Sequence, residues 1–161
     1  MIEIRPVTVD DLETLIEIYL DTARHHAAID PEAFHVPSRE AVAVRLRRRI
    51  DGRGLTGEYV AAMLDGVMVG SASIDLADPP SAGSMMRPIP TAEFGVSVVE
   101  GHRGQGIGRT LIAHLEEWAA GRGVERMVLN VAEANTDAIR LYHALGYTEY
   151  DRAMRKALVV P

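Results

Sequence analysis

Apolar residues along this chain recur with two different periods, and the switches between them mark out its elements. Ile2, Ile4 and Val7 predict a short opening strand. Thr8 followed by Asp11 reads as a helix cap with an acidic partner. Leu12, Leu15, Ile16, Tyr19 and Ala23 then fall at helical spacing, which predicts a helix from Val9 to His26. Asp30-Pro31 and Val36-Pro37 punctuate a loop, after which Ser38 caps a second helix carrying Val42, Leu46 and Ile50 on one stripe. Gly52, Gly54 and Gly57 end it. Tyr59 to Leu64 and Val67 to Asp75 predict antiparallel strands joined by a type I′ turn at Asp65-Gly66.

Ala77 to Pro90 carries four prolines and reads as a long exposed loop. A strand from Ala92 to Val99 leads into a glycine-rich turn, then into a helix with Ile107, Leu111, Leu115 and Trp118 on one side and Gly121 and Gly123 at its end. Val124 to Ala132 predicts another strand, Thr136 to Leu145 a short helix stopped by Gly146, and Tyr147 to Val160 one or two closing strands. Hairpins and crossover helices are mixed, so the expectation is an α/β chain with a mixed sheet, forming one domain over residues 1–161.

Composition narrows the classes. At 47% hydrophobic residues the chain has the apolar content of a packed domain. It has no cysteine, so disulfide frameworks, thiolate metal sites and cysteine nucleophiles drop out. The N-terminus lacks the basic and apolar regions of a signal peptide, and no apolar run reaches the ~20 residues that span a bilayer. The expectation is a soluble cytoplasmic protein without membrane contact. A net charge of -6 disfavours nucleic acid. The basic cluster Arg45, Arg47, Arg48 and Arg49 could meet an anionic group, although on a helix it reads more readily as a solvated face. His25 and His26 point to different sides of a helix and His35 follows a broken loop, so no metal site is expected. His102 and His143 are expected at the surface.

The most informative stretch is Arg103-Gly104-Gln105-Gly106-Ile107-Gly108, between a predicted strand and helix. Glycines let the backbone turn sharply and approach a ligand closely, and the first amides of a helix lack partners inside it. With the helix dipole positive there, the turn suits a pyrophosphate. A nucleotide triphosphatase loop would carry Lys-Ser or Lys-Thr where Arg109-Thr110 stands. A dinucleotide-binding turn would space its glycines differently and open a parallel unit. A bare strand-to-helix turn without a ligand is the remaining alternative.

Arg103-x-x-Gly106-x-Gly108 resembles the acetyl-CoA pyrophosphate motif of the GNAT superfamily of N-acetyltransferases, in which an Arg or Gln precedes two spaced small residues. The run Asn135-Thr136-Asp137-Ala138-Ile139-Arg140-Leu141-Tyr142-His143-Ala144-Leu145-Gly146-Tyr147 resembles that family's second motif, one strand further on. The opening Ile4-Arg5-Pro6 with Asp10-Asp11 also resembles the family's usual beginning. The likeness implies a mixed, mostly antiparallel central sheet of six to seven strands flanked by helices, with a splayed strand pair at the coenzyme site. Acetyl-CoA would be the co-substrate, with no metal, and a small-molecule or protein amine the acceptor. A homodimer is the assembly the family suggests. A non-catalytic acetyl-CoA sensor on the same scaffold is the alternative function.

The resemblance also implies roles. Amides of Gly104, Gln105, Gly106, Ile107, Gly108 and Arg109 would hold the pyrophosphate, with Arg103 and Arg109 adding charge. Val98 and Val99 would pair with the pantetheine arm as an added strand does, and the Val98 amide would face the thioester oxygen. Asn135 would touch the same arm, although capping the next helix explains it equally. Tyr142 is the candidate general acid. Its ordinary pKa of ~10 against ~8.5 for a thiol leaves full proton transfer uphill by about 2 kcal/mol. A lysine-like amine is neutral in only about one part in two thousand at pH 7, which adds ~4–5 kcal/mol to attack, so a base is useful. Glu93 is the candidate, through water. Strand alternation sets it on the face away from Phe94, Val96 and Val98, where a solvent-facing role is equally open.

Overall fold

The computed structural model describes residues 1–52 and 56–158, and Gly54 and Val160 of the sequence reading lie outside them. A single five-stranded sheet runs in the order β1 (Ile2–Pro6), β2 (Gly57–Leu64), β3 (Val67–Leu76), β4 (Thr91–Val98) and β5 (Arg126–Val128). The first three pairings are antiparallel and β4–β5 is parallel. The β2–β3 turn has φ of +50° at Asp65 and +79° at Gly66, the left-handed pair that a type I′ hairpin requires.

Helices cover both faces. On one side α1 (Leu12–Ile29) and α2 (Arg39–Gly52) bury Leu15, Ile16, Val42, Leu46 and Ile50 against Val7, Tyr59, Ala61 and Met68. On the other, α3 (Ile107–Ala120) sets Ile107, Leu111, Ile112 and Leu115 against Val60, Ile74, Ala92 and Phe94, and α4 (Thr136–Ala144) adds Leu141 and Tyr142. The stripes follow from helical spacing on the helices and alternation on the strands.

The first helix departs from its predicted start. Val9–Asp11 form a 3-10 turn, and the α-helix begins at Leu12 and runs three residues past His26. The Asp11 carboxylate is the pivot: it accepts from the Thr8 N–H at 2.7 Å, from Thr8 Oγ1 at 3.1 Å, and from Arg5 Nη1 and Nη2 at 2.8 and 2.7 Å. The second helix starts as expected, with Ser38 Oγ accepting from the Ala41 N–H at 3.2 Å.

Two strand expectations are corrected. The predicted strand Val124 to Ala132 pairs only over Arg126–Val128, because β4 diverges from it beyond Glu93. The predicted closing strands are absent from the described part of Tyr147 to Val160, so the sheet has five strands there instead of six or seven. Residues 148–158 are exposed and charged, without the apolar alternation that would anchor them to the β5 edge. They run to the α1–α2 loop, where Arg155 Nη2 lies 3.1 Å from Asp30 Oδ2 and 3.8 Å from Glu32 Oε2. No helix among the described residues is long and apolar enough to cross a membrane.

Candidate active site

The site begins where β4 and β5 part. Their pairing covers Thr91↔Arg126, Ala92↔Met127 and Glu93↔Val128, while β4 continues to Val98 with no strand paired on that side among the described residues. The β3 register tells which groups face the gap. The Val99 N–H donates to Val69 O at 3.0 Å, and the ladder pairs Gly70 with Val98, Ala72 with Val96 and Ile74 with Phe94. Antiparallel partners alternate between bonded and non-bonded pairs. The N–H and C=O groups of Phe94, Val96 and Val98 therefore point away from β3, into the opening.

Beyond β4 a 3-10 turn over Glu100–His102 delivers the chain to α3. Gly104 and Gly106 take φ of +76° and +83°, the left-handed region, and a Cβ at either would meet no heavy atom within 4 Å. This kinked entry leaves six consecutive backbone N–H groups, Gly104 through Arg109, without an acceptor among the described residues; the Thr110 N–H is the first to bond, to Gly106 O at 3.0 Å. Helices α1, α2 and α4 each carry an acid in the first turn, at Glu13, Glu40 and Asp137, whereas α3 carries none. The positive end of its dipole is thus open to an anion from outside.

Two of the expected coenzyme residues are otherwise engaged. Val99 has both backbone groups in hydrogen bonds, its N–H to Val69 O and its carbonyl to the His102 N–H at 2.9 Å. Arg103 folds back from the glycines: Nε donates to Val98 O at 3.0 Å and Nη2 to Asp21 Oδ2 at 3.2 Å. Gln105 donates from its side chain to Gly101 O at 3.2 Å, and the Arg109 side chain is exposed. Gly108 meets the second motif directly, since a Cβ there would stand 3.3 Å from Leu141 Cδ2 and 3.9 Å from Val98 Cγ2.

Asn135 caps α4, its Oδ1 accepting from the Ala138 N–H at 3.3 Å, which leaves its Nδ2 donors unused. Tyr142 is half-buried, edge-on to Phe94 at 6.2 Å and to Tyr147 at 5.9 Å between ring centroids. Burial pushes its pKa up. No hydrogen bond reaches its hydroxyl, yet His102 Nδ1 is the one sealed and unpartnered side-chain polar atom among the described residues. The Tyr142 hydroxyl therefore keeps access to solvent. Tyr147 instead bonds Glu116 Oε1 at 2.9 Å, and burial followed by that carboxylate raises its pKa far above the ordinary value.

Glu93 sits at the apex of the gap, exposed, with Oε1 accepting from Asn130 Nδ2 at 3.3 Å across the opening. It lies on the α1–α2 face of β4, opposite the face that carries Phe94. His25 on α1 is half-buried near Arg103; burial, then the guanidinium charge, lowers its pKa. His26 Nδ1 lies 2.8 Å from Thr22 O and His35 is exposed. His102, expected at the surface, is half-buried, while His143 is exposed beside Glu149. The arginine cluster of α2 is divided: Arg45 lies over Tyr19, and Arg49 over Tyr59 with its guanidinium on Ser73 and Asp75. The sequence reading passed over Val96. Its N–H faces the gap like that of Val98 and stands two residues from Phe94, on which Tyr142 leans. The alternation itself was visible in the sequence, but which phase bonds to β3 was not.

A splayed sheet with a row of free amides at a glycine-turned helix start defines an acyl-coenzyme A-binding fold, and the chain belongs to the Acetyltransferase (GNAT) family, whose profile matches residues 13–147. It is 34% identical over 102 residues to the aminoglycoside N(6')-acetyltransferase type 1 of Serratia marcescens, across 62% of this chain and 69% of that protein. It is 35% identical over 89 residues to the streptothricin acetyltransferase of Streptomyces lavendulae, across 55% of this chain and 43% of that one. An uncharacterized N-acetyltransferase of Bacillus subtilis (strain 168), YobR, is 43% identical over 53 residues, 33% of this chain and 22% of its own length. The chain thus spans less than half the length of two of these three relatives. Its fold superposes on the tetramutant of the BH1408 protein from Bacillus halodurans with a TM-score of 0.87 at 22% identity, over 97% of this chain and 99% of that one. An aminoglycoside N-acetyltransferase, AAC(6')-Iy in complex with CoA, superposes with a TM-score of 0.70 at 21% identity, over 98% of this chain and 95% of that one.

Proposed function

We propose that this chain transfers an acetyl group from acetyl-CoA to the amine of a small molecule by direct attack. The observation that carries the reading is the set of six unpartnered amides at the start of α3, next to a strand whose polar edge opens into the β4–β5 gap. The amides bind the pyrophosphate, and the pantetheine arm lies along β4, pairing with the Val98 and Val96 edge as an added strand would. Asn135 Nδ2 reaches the arm from the far side.

Tyr142 sets where the thioester lies. Its ring rests on Phe94, four residues from Val98, which is about 13 Å along a strand. Val96 lies between Phe94 and Val98 on the same edge of β4, so its N–H joins that of Val98 as a donor to the thioester oxygen as negative charge grows there. The amine nitrogen attacks the carbonyl carbon, the C–S bond breaks, and the departing sulfur takes a hydrogen bond or proton from the Tyr142 hydroxyl. Glu93, through water, receives the proton that the amine loses. The unused Tyr142 hydroxyl favours catalysis over a sensor role, which needs no acid beside the sulfur.

The named activities of the relatives, on aminoglycosides and on streptothricin, favour a small-molecule amine over a protein. The test is thiol release from acetyl-CoA with aminoglycosides, streptothricin and free amino acids as acceptors, alongside calorimetric titration of acetyl-CoA. Release with at least one acceptor is the expected result. Coenzyme binding without release across the panel overturns the transferase reading in favour of the sensor, and no binding at all overturns both.

A further inference from the structure

We propose that Arg103, held by Asp21, is a positioning residue that sets the register of the pantetheine arm on β4; the inference rests on the coenzyme reading above. Arg103 opens the glycine motif, where a free cation would serve the phosphates. Its guanidinium is instead turned back, with Nε 3.0 Å from the Val98 carbonyl and Nη2 3.2 Å from Asp21 on α1. The side chains of Arg103 and Asp21 are 33% and 23% exposed, so the pair is partly shielded from solvent.

The consequence lies in the pattern of free groups. The peptide joining Val98 and Val99 is pinned at both ends, its carbonyl by Arg103 and its N–H by Val69 O. Val98 therefore presents the gap with a free donor and a carbonyl on which the Arg103 guanidinium already stands, whereas Val96 presents both groups free. An arm carrying amide groups needs an acceptor for each N–H. With one lone pair of the Val98 carbonyl taken and the guanidinium crowding the other, the carbonyl of Val96 is the first unencumbered one it meets on entering from the loop. Pairing at Val98 instead would shift the arm by two residues, about 6.7 Å, and draw the thioester away from Tyr142. The planar fork of arginine suits the task because it bonds a carbonyl and a carboxylate together.

Three variants separate this role from phosphate binding: Arg103→Met, which removes the donors; Arg103→Gln, which keeps one amide donor for the Val98 carbonyl; and Asp21→Ala, which releases the guanidinium but leaves it in place. Each is assayed by calorimetric titration of acetyl-CoA, by thiol release with hydroxylamine as a small nucleophile, and by the infrared carbonyl stretch of bound 13C-acetyl-CoA. For Arg103→Met we expect acetyl-CoA affinity within about threefold of wild type but kcat lower by about 10²-fold, the scale on which small misplacements act. The carbonyl stretch should move toward that of free acetyl-CoA. Arg103→Gln should recover most of the lost kcat, and Asp21→Ala should fall between. If Arg103→Met fails to fold, Asp21→Ala carries the test.

Loss of coenzyme affinity by about tenfold or more with kcat retained would make Arg103 a phosphate ligand and overturn the proposal. Variants indistinguishable from wild type in kcat and in the carbonyl stretch would overturn it as well. A wild-type protein that neither binds acetyl-CoA nor releases thiol would overturn the coenzyme reading itself, so the two failures are told apart.

Discussion

Replacing Tyr142 by phenylalanine removes one oxygen and isolates the chemistry assigned to it. The ring stays in place, because its packing against Phe94 and Tyr147 does not involve the hydroxyl. That hydroxyl bonds no protein group and keeps solvent access, so its loss should change stability by about 0.5 kcal/mol or less, roughly 1–2 °C in Tm for a domain of this size. The kinetic cost is of another order. A positioned acid contributes about 10²–10⁴-fold, so kcat should fall by at least the lower figure while acetyl-CoA affinity is held. Because burial raises the tyrosine pKa, the gap to a thiol exceeds the ordinary ~1.5 units, and the hydroxyl acts mainly as a donor to sulfur during C–S cleavage. The sign is clear: the neutral form persists above the ordinary value, so Tyr142 gives kcat no basic limb below about pH 10. Single-turnover thiol release across pH, with melting curves for both proteins, checks all three quantities. An unchanged single-turnover rate would remove Tyr142 from the mechanism, and a basic limb near neutral pH that vanishes in the variant would refute the argument from burial.

Gly106→Ala should leave the free protein folded, since nothing lies within 4 Å of a Cβ there and the left-handed φ costs about 1–2 kcal/mol. Acetyl-CoA affinity should drop by about tenfold, ~1.4 kcal/mol, as the amide row is twisted and a methyl enters the concavity; unchanged affinity by calorimetry would rule out that row as the anion site. Asp11, with its pKa lowered to about 2 chiefly by the Arg5 hydrogen bonds, stabilises the fold above the ordinary carboxylate range and loses that contribution as pH falls toward 2. Urea melts should show about 1–2 kcal/mol lost between roughly pH 5 and pH 2 on this account, a difference that Arg5→Ala reduces.

What the sequence disclosed was local. Asp65-Gly66 announced its hairpin because both residues tolerate positive φ, and Ser38 and Asn135 announced helices because their side chains reach backbone amides a turn away. The glycine turn was legible for the same reason, as strand, kink and helix follow one another without a gap. Distant partners were hidden. Leu129 to Ala132 reads as the second half of a strand, because Leu129 and Val131 alternate with Asn130 as in any half-buried strand; only the divergence of β4 leaves it unpaired. The Arg103–Asp21 pair joins residues far apart in the chain, and no local pattern announces it. The α2 arginines read as one patch, yet Arg45 and Arg49 each lie over a different tyrosine. Val96 emerged only from the phase of the β3 ladder.

The contact between Gly108 and Leu141 ties the two recognisable stretches of the chain into one mechanical part. At 3.3 Å a methyl on Gly108 already crowds the leucine, so the spacing between the third and fourth helices is gauged by a missing side chain on one and a branched one on the other. Tyr142 is the next residue along. Any bulk gained on either side of that seam would displace Tyr142 relative to the amides that open α3, so on the proposed reading the anchoring end and the reacting end of the coenzyme site can diverge in evolution only in step.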